Sequence, residues 1–544
     1  MNKRNGFTLV ELLAVIVILA IVLIIAVPGV LSIINKTKNS AYDRQLDMIK
    51  EATRTYVTTS PNIDWRNNQT VVNLSDLQGQ GILDQKVFDP KTKKEIKGLA
   101  VIVTKKDNRM NYEIVYTDES NANYPVYSKN MIPIVYKDNT WVKANSTNEK
   151  NDWFDYTKQQ WANVATVSED VRDTLIKASP GTEVPMDKIN AMFTWIPRFK
   201  YKLFNVDGTV SPVGNPNMAG DYKIEVKMEG IGTSKSTGNQ NGQWLTHPAF
   251  TFGTEELSGF WVAKFETGNN AVDDAKSIPT NLYQPENLVI KPNATVWMRQ
   301  TLSTMLKSIG QMGATGNQFG LSKIEDPHLM KNIEWGAMTY LTNSQYGKQG
   351  NDTYSGVEKE VRVNNQFKTG CGATTNNAAS DGTCNSYETK PGQAASTTGN
   401  VTGIYDTNGA GWDVVASSMT GADGVNQIVA GSGLSQETLN QLVREGKYFD
   451  AYDFSTSTLN YTKGHLGDAT IEMGPFSAGS TAWYNDMANF LTNNYPGVSS
   501  ETAQKPFFAR GGAVWSDGSI DGITAFFPWA SNTPDDKNSR ITLR

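Results

Sequence analysis

Lys3-Arg4-Asn5-Gly6-Phe7-Thr8-Leu9-Val10-Glu11-Leu12-Leu13 opens the stretch that decides the architecture, and from Leu12 to Val27 the chain is almost entirely Leu, Val, Ile and Ala. No charged residue lies between Glu11 and Lys36. Such a run can cross a hydrocarbon layer of ~30 Å, which takes ~20 apolar residues. It fails as an ordinary secretory signal, because Gly6-Phe7 follows the basic pair after a single residue, Asn5, and no small-residue cleavage site closes the apolar run. A carboxylate near the start of a membrane helix, here Glu11, costs up to ~2–3 kcal/mol and calls for a partner. After Pro28 the pattern narrows to one apolar stripe, Tyr42, Leu46, Ile49, Thr53 and Tyr56, at three- and four-residue steps, which predicts that the helix runs on to about Thr59. Ser60-Pro61 ends it. Strand-like Leu99–Thr104 and Tyr112–Tyr116 then flank a polar turn over Lys105–Asn111.

The run Gly6–Leu13 resembles the processing signature of type IV prepilins and pseudopilins. The resemblance implies cleavage after Gly6 by a prepilin peptidase, methylation of the new amino-terminal Phe7, and pairing of Glu11 with the Phe7 amino group of a neighbouring pilin subunit in the filament core. It also implies a precursor in the inner, cytoplasmic membrane and a mature protein in a pilus or on the surface of a bacterium. A long helix followed by a small antiparallel sheet resembles the pilin fold, over roughly residues 1–118. Pro28 stands where many pilins carry a helix-kinking proline.

The rest of the 544 residues is too long for one further small domain. With 39% hydrophobic and 10% aromatic residues the chain can fill ordinary cores. Fifty Lys and Arg against fifty-five Asp and Glu leave a net charge of −5, without the basic excess that nucleic acid demands of a partner. Three histidines and two cysteines exclude most zinc and Cys-His chemistries. His247, His328 and His465 show no ligand spacing and read as solvent-facing or structural. Short aromatic β signals over 119–185, Ile132–Tyr136, Trp141-Val142 and Trp153–Tyr156 among them, suggest a small β module or stalk. From Met192–Phe199 onward the chain is rich in Gly, Asn, Thr and Trp, with short strands and long polar loops.

Four segments of that last part resemble, in order, the formylglycine-generating enzymes and the C-type-lectin-like fold they share with many binding proteins. They are Gly259–Glu266, Asn332-Ile333-Glu334-Trp335-Gly336-Ala337, Tyr405–Val415, and Arg510-Gly511-Gly512 with the closing Arg540–Leu543. In the enzymes two cysteines follow the Arg-Gly-Gly, whereas Ser516 and Asp521 occupy the matching positions here, so the thiol chemistry is lost. The expectation is a binding protein rather than an enzyme. Cys371 and Cys384 flank a loop that in an exported protein gains ~3 kcal/mol from closure, which favours a disulfide over free thiols. No cofactor is expected. Some family members hold structural calcium at the central loop, but Ala410 replaces an Asn there. Gln284-Pro285-Glu286-Asn287 is a weak echo of a calcium-and-sugar tripeptide.

The last hairpin, Trp515–Asp521 and Ala525–Ala530, sets large aromatics among turn residues, and Pro528 argues against a central strand. Binding surfaces are enriched in such side chains. This terminus also resembles the variable region of lectin-fold proteins diversified by diversity-generating retroelements. The expected ligand-binding residues are Trp515, Asp517, Ile520, Phe527, Trp529, Asp535 and Asp536. The whole reads as an α+β chain: leader 1–6, transmembrane and filament-core helix 7–59, pilin β-sheet 60–118, β stalk 119–185 and lectin-fold domain 186–544. Its expected function is that of a minor pilin displaying an adhesin or receptor head to an extracellular protein or glycan. The rivals are a pseudopilin of a secretion or DNA-uptake system with a cargo-binding head, and a surface-tethered enzyme.

Overall fold

The computed structural model describes residues 41, 44–60, 63, 65, 69–88, 99–106, 109–116, 125–146, 151–203, 224–230, 235–240, 242–253, 255–280, 283–375, 383–420, 432–455, 460–461, 465–470, 472, 480–481, 487–488, 507–514, 522–529 and 537–544. The chain is mixed α+β and rich in small, mostly antiparallel sheets. It divides into two compact units, 1–118 and 119–544.

In the first unit, described residues 44–59 are helical and the helix closes with Ser60 N–H on Tyr56 O. The stripe does what its spacing requires: Ile49 and Thr53 are fully buried, and Leu46 and Tyr56 pack on the same core as Val72, Val101 and Val103. Buried Thr53 turns its hydroxyl back onto Ile49 O at 2.8 Å, satisfying itself within the helix. A three-stranded antiparallel sheet, Gln69–Asn73, Leu99–Lys106 and Arg109–Tyr116, supplies the rest. The strands run further than expected, with pairing out to Lys106 and Arg109. The membrane segment 12–27 lies outside the described residues; among those, no helix is long and apolar enough to cross a membrane.

The second unit is organised by a seven-stranded sheet in the order His328–Leu329, Ile541–Leu543, Gly259–Ala263, Ile189–Pro197, Asn163–Val167, Ile132–Lys137, Thr140–Lys143. Every neighbouring pair is antiparallel. This corrects the division at 185/186. Asn163–Val167 pairs along its length with Ile189–Pro197, and Trp153 stacks on Trp261 at 6.2 Å, so 119–185 is the outer part of the same core and not a separate stalk. Trp153–Tyr156 is not a strand either. Asp155 caps a short 3-10 turn over Tyr156–Lys158 through Thr157 N–H, while the Trp153 and Tyr156 rings plug the core.

A second, six-stranded sheet runs Ser480–Thr481, Met487–Ala488, Gly522–Trp529, Phe507–Gly511, Trp412–Val415, Lys537–Ser539. Pro528 sits inside it, opposite Phe508, against the expectation drawn from its missing N–H. The position tolerates proline because the described pairing on the other side of that strand is confined to Ala488–Phe526. Helices Leu302–Gln311 and Asn332–Thr342 complete the core. The second of these lies very close to the 467–468 backbone: a Cβ on Gly336 would stand 1.9 Å from Gly467 O, so only glycine fits.

Candidate functional site

The four segments singled out in the sequence converge beneath the carboxy-terminal strands. Arg540, fully buried between the strands Lys537–Ser539 and Ile541–Leu543, stands where the chain passes from one sheet to the other. Its Nε and Nη2 donate to Asp413 Oδ2 at 3.0 and 2.9 Å, Nη1 to Ala263 O at 3.0 Å and Nη2 to Asp406 O at 2.8 Å. Asp406 accepts from Gly370 N and Asn364 Nδ2, and Glu266 from Gly411 N and Asn538 Nδ2. Arg510 bonds Asn332 Oδ1 at 2.9 Å and the 468 and 469 carbonyls, and Trp335 Nε1 donates to Ile523 O at 2.8 Å. The network thus ties the two sheets and the helix Asn332–Thr342 to one another.

One guanidinium serves three carboxylates, and protonation states follow. Burial pushes Asp413 up to about 7, although Arg540 pulls it down, and burial together with Asp413 and Asp406 holds Glu266 well above the usual range. Burial likewise raises Glu472, which accepts from the Tyr201 and Tyr340 hydroxyls, and Glu360 to about 7 each. A carboxyl raised on folding holds a proton that the unfolded chain releases near pH 4, so its stabilisation is full below that pH and is lost as pH rises through 7. His247 opposes this: burial lowers it to about 3, and below about 6.5 the unfolded chain alone takes its proton. Four raised carboxyls outweigh one histidine. Thermal melting of the full chain should therefore give a higher Tm at pH 5 than at pH 8, and the reverse order would show these carboxyls ionised in the fold.

Two of the seven expected binding residues, Phe527 and Trp529, fall on described backbone. Trp515, Asp517, Ile520, Asp535 and Asp536 lie outside the described residues, as do Ser516 and Asp521. Phe527 and Trp529 belong by backbone to the strand Gly522–Trp529, opposite Ala509 and Phe507, and their side chains lie outside the description. Phe526 is 1% exposed and packs 4.8 Å from the Phe508 ring, so it belongs to the core. Cys371 and Cys384 form a disulfide with Cα atoms 4.8 Å apart. His247 and His328 are buried, the latter paired with Glu334 at 3.1 Å, and His465 Nε2 bonds Ala451 O.

Among the described residues no three His, Cys, Asp or Glu side chains form a metal-holding group. At the central loop Ala410 offers no side-chain oxygen, and Asp406 and the Oδ2 of Asp413 are engaged by Gly370, Asn364 and Arg540. Gln284 and Asn287 bond each other at 2.7 Å at the ends of a short 3-10 turn. The buried Arg540, Glu266, Asp413 and Glu472 were not singled out as site residues in the sequence. The signal available for the first was its place one residue before the closing β-like Ile541-Thr542-Leu543.

The amino terminus carries the comparison that bears on function. Residues 1–27 match the prokaryotic N-terminal methylation motif. This is a type IV pilin-like signal, and it indicates a pilin-like or pseudopilin-like protein, made as a membrane precursor, processed and exported. The motif implies cleavage by a prepilin peptidase and assembly with other pilin subunits. Gly6, Phe7 and Glu11 lie within the matched residues and outside the described ones. No curated protein matches the chain.

Proposed function

We propose that this chain is a minor type IV pilin whose second unit is a C-type-lectin-fold adhesin or receptor head, non-enzymatic, capturing an extracellular protein or glycan at the bacterial surface. The observation that carries the reading is a methylation motif at the start of a chain whose separate compact unit, 119–544, far exceeds what the filament-forming part requires. Support for a lectin-type head comes from the order of its four segments and their joint engagement around Arg540 and Arg510. The ligand face would comprise Trp515, Asp517, Ile520, Phe527, Trp529, Asp535 and Asp536 as contact residues, diversified by a retroelement. Ser516 and Asp521, where the enzymes carry cysteines, support binding over thiol catalysis.

Pilin helices pack side by side, so a head of this size would collide with its neighbours if every subunit carried one. Immunogold labelling of purified pili with antibody to residues 186–544 should give sparse or terminal label. Even label along the shaft would refute a minor pilin, and label confined to the cell envelope with none on filaments would favour the pseudopilin with a cargo-binding head.

A further inference from the structure

The strand Ile132–Lys137 keeps both neighbours only for its first half. Its pairing with Asn163–Val167 stops at Ile134–Asn163, while its pairing with Thr140–Lys143 continues to Lys137–Thr140. Beyond Ile134 the strand parts from the sheet, and a cleft of about 470 Å³ opens among Val135–Lys137, the turn 152–160 and residues 400–402. That volume lies within the ~300–1,000 Å³ usual for small-ligand sites.

The walls mix apolar surface with polar side chains that are tied to their neighbours. Asn400 Nδ2 donates to Gln159 O at 3.0 Å, and its Oδ1 accepts from Thr402 N at 2.9 Å and Thr402 Oγ1 at 2.7 Å. Gln160 Nε2 spans the 152 and 153 carbonyls. Charge in the cleft is balanced internally: Lys137 bonds Asp152 at 2.5 Å and Lys158 bonds Asp155 at 2.8 Å. Tyr136 adds a half-buried ring, braced edge-on by Trp141 at 5.3 Å, and a hydroxyl.

We infer that this cleft binds a neutral sugar of one or two pyranose units. A pyranose offers a C–H face to an aromatic ring and a rim of hydroxyls that give and take hydrogen bonds together, which suits one tyrosine beside side-chain amides, a hydroxyl and a paired carboxylate. Lys137 and Lys158 are each engaged by an aspartate, which leaves no spare charge for an ionic ligand. An extended peptide would need a longer free strand edge than the three residues 135–137. The strand of the cleft lies four places from Ile541–Leu543 in the sheet, and the assignment does not rest on the ligand face proposed above.

The test is saturation-transfer NMR and titration calorimetry on the full chain in a detergent without a sugar headgroup. The probes are maltose, cellobiose, lactose and N,N′-diacetylchitobiose, with digalacturonate as the charged control. At least one neutral disaccharide should bind saturably and more tightly than digalacturonate, with affinity reduced at least tenfold in Tyr136→Ala and about threefold in Tyr136→Phe. The second variant keeps the ring against Trp141 and so reads binding even if the first fails to fold. Absence of binding by all four sugars, preference for the charged control, or affinities within twofold of the parent in Tyr136→Phe and in Lys137→Met would each overturn the assignment.

Discussion

Replacing Arg540 with methionine should cost the second unit about 3–5 kcal/mol, the loss expected when one partner of a buried ion pair is removed. The side chain is fully buried, and its removal strips Asp413 Oδ2 and the carbonyls of Ala263 and Asp406 of their donors at the point where the two sheets meet. Against a total stability of ~5–15 kcal/mol this is a large share. Lysine should rescue only in part, because an ammonium cannot reproduce the guanidinium fork that spans Asp413 and two carbonyls. Arg540→Met/Asp413→Leu, which removes the stranded carboxylate as well, should recover part of the loss. The single mutant's deficit should also shrink between pH 8 and pH 5, as Asp413 takes up a proton. Thermal and denaturant melting of the four proteins checks this, and a single mutant within about 1 kcal/mol of the parent would mean that the sheets are held together by apolar packing alone.

The second large effect concerns the proposed ligand face. Under that reading Trp515→Ala and Trp529→Ala should each abolish ligand capture, since a few aromatic anchors carry ~2 kcal/mol or more apiece in most interfaces. Stability should stay within ~1 kcal/mol. A core tryptophan would instead cost ~3–5 kcal/mol of folding free energy. Phe526→Ala provides the contrast, because its ring is buried against Phe508 and beside the Arg510 guanidinium and its loss should act on melting first. Binding to host or environmental surfaces and melting, measured on the same three mutants, separate the roles. Collapsed stability in both tryptophan mutants would move the ligand face elsewhere.

What the sequence disclosed followed physical scale. The stripe from Leu46 to Tyr56 was legible because one helix face against one sheet is a local, periodic problem. The convergence of Gly259–Glu266, Asn332–Ala337, Tyr405–Val415 and Arg540–Leu543 could be anticipated only through resemblance, because their contacts span more than a hundred residues each. The boundary at 185 was misplaced for a related reason. A shift in composition near Met192 is visible locally, but that Ile189–Pro197 takes Asn163–Val167 as its partner is not. Arg540, Glu266 and Asp413 lie in the four convergent segments, but their joint burial is not legible there, because charged residues read as surface until a fold supplies their partners. The Tyr136 cleft arises from a strand leaving its neighbour halfway along, which no local pattern encodes.

The place of Ile541–Leu543 in the large sheet bears on how the protein is made. That strand lies between Gly259–Ala263 and His328–Leu329, both of which leave the ribosome hundreds of residues earlier. At ~5–20 residues per second, the neighbours wait many seconds with a gap between them that nothing else in the sheet fills. The two halves of the network around Arg540 are likewise kept apart until that residue emerges. Long-range pairing of this kind is slow even once the chain is complete. A polypeptide threading outward through a translocation channel therefore passes residues 1–540 before the second unit can close its large sheet, so synthesis order holds that sheet open during export.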